Sequence, residues 1–276
     1  MRIIDPHTHV WINDPAFPWP VESAGQVPGD RTAEMLLDLM DRHGVEKTVL
    51  VQYIGFRWDN SYVSHVLRKY PDKFAGVCRV NPEDPVAPDH LSHWVEEHGF
   101  QGVRLSPSAG PEGDWFTGPL MPPIFRRAEE LRVPLLMLTR PGRLPDLARL
   151  LDRFPDLDVV VDHMADARPD RPEEIRAVLD LARYPNVYVK ISHTWSISSQ
   201  GYPWTDTHDM VEAVYQAFGG GRIMWGTDWP VCLSKAEYGQ TLSVVRDEMR
   251  FIAPEDMARV LGGTALGLWT FEDRKA

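Results

Sequence analysis

Apolar and polar positions alternate along this chain on two scales. Short runs rich in Val, Ile and Leu recur at Arg2–Asp5, Lys47–Gln52, Phe74–Val80, Gln101–Leu105, Val133–Thr139, Asp158–His163, Val187–Ile191 and Arg222–Asp228. Each is nearly continuous in its hydrophobicity, as expected of a strand covered on both faces in a parallel sheet. Between them lie stretches with helical spacing: Thr32–His43, Ser61–Tyr70, Pro88–His98, Pro122–Leu131, Leu144–Phe154, Pro172–Arg183 and Thr207–Phe218, with Lys235–Phe251 and Pro254–Trp269 after the last run. Gly44, Pro71 and Gly99 stand where helices should stop. Strand and helix in strict alternation predict an α/β fold, and eight strands favour a closed (β/α)8 barrel over a doubly wound sheet.

Length agrees with that reading. The 276 residues match what one such barrel commonly needs, so one barrel domain is expected over residues 1–276. A hydrophobic fraction of 43% is ample for its core. The formal net charge of −11 argues against a nucleic-acid partner and against an anionic membrane surface. Cys78 and Cys232 are the two cysteines, far apart and in no metal-like spacing, which fits a reducing compartment. With neither a signal-peptide pattern nor a long apolar span, the expected location is the cytoplasm. The expected partner is a small-molecule substrate.

In such a barrel the C-terminal strand ends converge on one site. Here they carry an unusual number of ionisable groups. The first strand ends in Asp5-Pro-His7-Thr-His9; in an extended chain residues two apart share a face, so Asp5, His7 and His9 are expected to point one way. Gln52 ends the second strand, Arg104 the fourth, and Thr139-Arg140 the fifth. Asp162-His163 ends the sixth, Lys190 with Ser192-His193 the seventh, and Asp228 the eighth. Of the adjacent pair at the sixth strand, His163 is the expected site residue, with Asp162 pointing outward or pairing structurally. Two long loops, Trp11–Arg31 and Ser192–Asp206, follow strands and should cover the mouth; their Trp11, Trp19, Trp195 and Trp204, with Trp229, are candidate pocket-lining aromatics.

The opening DxHxH, the sixth-strand VVVDHM and the closing RIMWGTDWPV, with GVRLS at the fourth strand, VKIS at the seventh and GGTALGLW near the end, resemble the amidohydrolase superfamily. More narrowly the chain resembles its branch of metal-optional lactonases. The resemblance implies a hydrolase acting on a ring ester. Asp228 would be the general base, and His7, His9 and His163 would polarise the carbonyl. Arg104 and Arg140 would bind a substrate carboxylate or hydroxyl, with Gln52, Lys190 and His193 as further substrate contacts. Metal-binding relatives usually carry a histidine or lysine at the fifth strand end, where this chain has Thr139-Arg140, so a binuclear centre is not expected. Two alternatives stay open: one divalent ion, zinc or manganese, on His7, His9 and Asp228, or no metal. A metal-dependent decarboxylase on the same barrel and a non-catalytic binding relative are the competing readings.

Overall fold

The computed structural model describes residues 1–26, 29–106, 109–110, 113–114 and 116–272. Eight parallel strands carry the architecture: β1 (Ile4–Thr8), β2 (Lys47–Val51), β3 (Phe74–Val77), β4 (Val103–Leu105), β5 (Leu135–Met137), β6 (Val159–Val161), β7 (Val187–Lys190) and β8 (Ile223–Met224). Ladders join β1 to β2 to β3, and β4 to β5 to β6 to β7 to β8. Two isolated parallel bridges complete the circuit, Cys78 with Val103 and Thr8 with Trp229. The sheet is therefore closed, as the alternation of runs predicts. A two-residue strand pair, Ala109–Gly110 with Gly113–Asp114, is added after β4.

The helices between the strands are amphipathic and lie on the outside. Ala33–His43, for example, is capped by the Thr32 hydroxyl and stopped by Gly44 in the left-handed region, buries Leu36 and Met40, and keeps Arg42 and His43 in its last turn, where a helix favours positive charge. The two longest helical patterns after β8 are less regular. Tyr238–Ser243 runs into a π turn at Val244–Glu248, and Pro254–Ala258 continues through a second π turn at Arg259–Gly263 before Thr264–Leu268. At the second π turn the chain passes against β1: a Cβ on Gly262 would sit 2.5 Å from the Arg2 carbonyl oxygen, so only glycine fits there.

Two apolar clusters show how the strands divide their faces. The larger packs strands against helices and contains Leu50, Phe74, Val103, Leu135, Met137, Val159, Val161, Val187 and Val189. The smaller fills the barrel interior with Ile4, Val49, Val51, Ala75, Val77, Leu136, Val160 and Met224, and Trp269 and Ala265 from the chain's last helical turn close its floor. Above this apolar layer the same inward positions turn polar: Arg104, Asp162 and Lys190, all buried. No described helix is long and apolar enough to cross a membrane.

Candidate active site

The backbone first brings the two ends of the chain together. The His9 amide donates to the Trp229 carbonyl at 2.7 Å and the Asp228 amide to the His7 carbonyl at 2.9 Å. This stitch sets His7, His9 and Asp228 side by side, although more than two hundred residues separate them in sequence. His9 Nε2 lies 3.0 Å from Asp228 Oδ1, and His7 Nε2 lies 3.5 Å from the same oxygen. His9 Nδ1 faces the Val51 carbonyl at 2.7 Å; a carbonyl can only accept, so Nδ1 carries a proton and Nε2 is the ring nitrogen turned toward Asp228. His7 Nε2 and Asp228 Oδ1 are buried without a hydrogen-bond partner. Two imidazole nitrogens and a carboxylate oxygen within 4.8 Å of one another, two of them unpartnered, form a donor set that fits one divalent cation.

Asp5 does not join them, against the expectation for an extended run. Its oxygens bind the Thr227 hydroxyl at 2.6 Å and the Thr227 and His7 amides. The cause is a register shift: Asp5 pairs with Thr48 but Thr8 pairs with Leu50, three steps against two. One extra residue breaks the two-residue alternation that would keep Asp5 on the His7 face. Burial drives Asp5 up to about 6, against the pull of its hydrogen bonds.

Beneath His7 lies a buried ionic layer. Lys190 Nζ is 2.9 Å from His7 Nδ1 and 3.0 Å from Asp162 Oδ1, and Arg104 Nε donates to Asp162 Oδ2 at 2.8 Å. Burial raises the Asp162 carboxyl, but Lys190, His7 and Arg104 outweigh it and hold it well below the carboxylate range. Burial also lowers Lys190, with Asp162 opposing, and lowers His7 to about 3, so His7 is neutral. His7 Nδ1 has two neighbours of opposite kind: it can accept from Lys190 or, as the other tautomer, donate to Asp162 Oδ1 at 3.3 Å. The second tautomer presents the Nε2 lone pair a metal requires.

The sixth strand differs from the expectation in one side chain's direction. Asp162 does pair structurally, but it points inward: it continues the inner alternation from Val160. His163 should then face out. Instead His163, Met164, Ala165 and Asp166 all take positive φ, between 52° and 56°, and this left-handed turn swings His163 back over the mouth. Such conformations cost about 1–2 kcal/mol per residue and gather at functional sites. His193 and Asp228 share the feature, with φ of 67° and 55°.

That turn also places a group the sequence did not reveal. Asp166 Oδ1 is 2.8 Å from His193 Nδ1, and His193 Nε2 is 2.7 Å from Asp228 Oδ2. His193 stacks on His163 with centroids 3.5 Å apart and planes 2° from parallel. Burial pulls His193 down, but Asp166 and Asp228 raise it to about 9, so it is protonated near neutrality. Burial likewise lowers His163, with the His193 charge adding to it, and His163 is neutral; its Nδ1 lies 2.7 Å from the Ser192 hydroxyl. Burial raises Asp228, but the His193 hydrogen bond and the adjacent His9 imidazole overcome it and hold Asp228 well below the usual range.

The remaining expected residues are less central. Arg140 is mostly exposed and donates to Asp166 Oδ2 at 2.6 Å, at the rim. Gln52 is buried with Oε1 unpartnered, one step past Val51 and so on the Leu50 side of its strand. Thr139 is buried, and no fifth-strand residue enters any metal-type group among the described residues. Of the candidate aromatics, Trp11 packs on Tyr53 at 4.3 Å and Trp19 on Phe56 at 4.3 Å, while Trp195, Trp204 and Trp229 are buried. A cavity of about 460 Å³ opens beside the ionic layer, and the tryptophan lining it is Trp58.

A closed parallel barrel with imidazoles, a carboxylate and a proton-carrying histidine at its C-terminal mouth is built as a hydrolytic enzyme. The chain belongs to the amidohydrolase family, whose model matches residues 4–271. It is 29% identical to an L-fucono-1,5-lactonase of Burkholderia ambifaria over 95% of this chain and 93% of that protein. It is 26% identical to a 4-sulfomuconolactone hydrolase of Rhizobium radiobacter over 82% of this chain and 75% of that one. In fold it matches an amidohydrolase from Burkholderia multivorans with a TM-score of 0.80, at 22% identity, over 99% of this chain and 100% of the other. The protein is a hydrolase of this superfamily.

Proposed function

We propose that the protein hydrolyses a lactone, with Asp228 as general base. The observation that carries this reading is the convergence of His7 Nε2, His9 Nε2 and Asp228 Oδ1 at the mouth, two of the three without a partner. The substrate class follows from the two relatives, both named for lactones and both aligned over most of their length.

Hydrolysis adds water across the ring ester. The water oxygen bonds to the carbonyl carbon, the carbonyl oxygen gathers charge, and the ring oxygen leaves with a proton. Asp228, kept ionised by His193 and His9, accepts the proton of the attacking water. His163 Nδ1 lies 2.7 Å from the Ser192 hydroxyl, which can donate or accept; with Ser192 donating, the neutral ring carries its proton on Nε2 and offers it in a hydrogen bond to the developing oxyanion. His193, clamped by Asp166, orients Asp228, and the proton on Asp228 passes to the ring oxygen as it leaves. His7 Nε2, His9 Nε2 and Asp228 Oδ1 would hold one divalent ion, zinc or manganese, which would supply Lewis-acid polarisation of the carbonyl. Arg104 and Lys190, both tied to Asp162, act through His7 as positioning residues; Arg140, at the rim of the cavity, is left as a contact to the substrate's periphery.

The test is hydrolysis of a lactone panel followed with a pH indicator, with and without a chelator. Activity lost on chelation and restored by zinc or manganese assigns the ion to this cluster. Activity that survives assigns carbonyl polarisation to the histidines alone. Failure on every lactone overturns the reading.

A further inference from the structure

Four arginines gather on the β2–β5 side of the mouth, and three have a carboxylate. Arg104 binds Asp162, Arg140 binds Asp166, and Arg57 faces Glu22 at 3.8 Å. Arg79 has none among the described residues. It follows Ala75 and Val77 in the inward alternation of β3, so its side chain enters the barrel mouth. It is 2% exposed. One guanidinium nitrogen, Nη1, donates to the Ser106 hydroxyl at 2.8 Å, and the group lies 5.2 Å from the Trp58 ring centroid. Its Nε is buried without a hydrogen-bond partner. Arg79, Trp58, Ser106, Thr139, Arg57 and Arg140 line the cavity of about 460 Å³, large enough for a small ring compound.

A buried cation without a counter-charge is costly, and one partly unpaired inside a cavity is costlier still. A ligand anion would remove both costs. We infer that Arg79 is the specificity residue for an anionic substituent, a carboxylate or sulfonate, and that the substrate is therefore an acid-bearing lactone, not a neutral one. This rests on the lactonase reading. Burial and the neighbouring Arg104 charge lower Arg79 to about 9, with the more distant Asp162 charge opposing them, and it remains charged at neutral pH. The planar fork suits a two-oxygen acceptor, and Ser106 Oγ at Nη1 already fixes its plane. Arg104 is already committed to Asp162, so the anion-reading role expected of it passes to Arg79.

The experiment compares a five-membered lactone bearing a ring carboxylate with its primary amide, on wild type, Arg79→Gln and Arg79→Lys. Wild type should prefer the acid. Arg79→Gln should lower the acid-to-amide selectivity about 10–100-fold, mostly through KM, the range for one charge-assisted hydrogen-bonded contact, and Arg79→Lys should recover part of it. Equal turnover of acid and amide by wild type, or equal losses on both in Arg79→Gln, would overturn the inference while leaving the lactonase reading intact. If wild type hydrolyses neither, the lactone panel decides the lactonase reading, and glutarate binding by calorimetry decides the anion subsite. Binding lost in Arg79→Gln and kept in Arg79→Lys supports the anion subsite; no binding to wild type, or binding unchanged in Arg79→Gln, rejects it.

Discussion

The two arcs of the barrel mouth are built on opposite principles. On the arc of β1, β6, β7 and β8, imidazoles and carboxylates interlock: Asp166, His193, Asp228 and His9 form one continuous chain of contacts. On the arc of β2 to β5 the charges are guanidinium, the space between them is open, and Arg79 lacks an acid. The first arc has fixed proton positions and little freedom, which suits bond making and breaking. The second has a cavity and an unmatched charge, which suits holding a molecule. The Asp162 carboxylate is where they meet, since Lys190 and His7 reach it from one side and Arg104 from the other.

The largest expected effect falls on the first arc. Asp228→Asn should lower kcat about 10²–10⁴-fold, measured in the lactone assay, with the thermal midpoint little changed. Near-normal turnover would remove Asp228 as the base and dissolve the division into two arcs. Next comes the junction. Asp162→Asn leaves Lys190 and Arg104 as buried cations without their acid, and urea unfolding should show a loss of about 3–5 kcal/mol. A loss below 1 kcal/mol would mean the layer is solvated and the arcs independent. The rim should matter less. Arg140→Gln breaks an ion pair whose arginine is 73% exposed, and KM should rise about 2–5-fold with kcat nearly constant. A large fall in kcat would instead place the rim arginine on the reacting arc through Asp166.

The smallest effect is a control outside both. Glu34 on the first helix accepts from Lys69 and Tyr70; burial raises it, but its hydrogen bonds together outweigh that and lower it to about 2. A carboxylate depressed in the folded state contributes stability above its unfolded value of about 4.5 and loses it as pH falls toward 2. Glu34→Gln should therefore flatten the acid limb of a stability profile between those values, by less than ~1 kcal/mol because the pair is half exposed.

Much of this was legible in the residues. Continuous apolar runs separated by amphipathic stretches are a local signal: seven of the eight runs contain a barrel strand, and the first overlaps β1, which runs on to Thr8. Strand ends converge in any closed parallel barrel, so His7, His9, His163 and Asp228 could be gathered from order alone. What failed was the facing of individual side chains. Alternation puts Asp5 on the His7 face, and a one-residue register shift removes it; Asp162 pairs structurally but faces inward, and His163 reaches the mouth through a left-handed turn, not through alternation. Arg79 obeyed alternation with Ala75 and Val77 and was readable, yet a lone arginine among apolar residues shows nothing of its partners. Asp166 gave no signal at all, because its role depends on that same turn.

The sequence by itself determined the ladder, the closure it implies and the residue types at the mouth, because these depend on periodicity and on chain order. Only the tertiary structure decided which oxygen meets which nitrogen, which histidine holds a proton and which arginine lacks an acid. Those outcomes depend on bulges, backbone hand and burial, where a shift of one residue reverses a face and a neighbouring charge several ångströms away moves a proton.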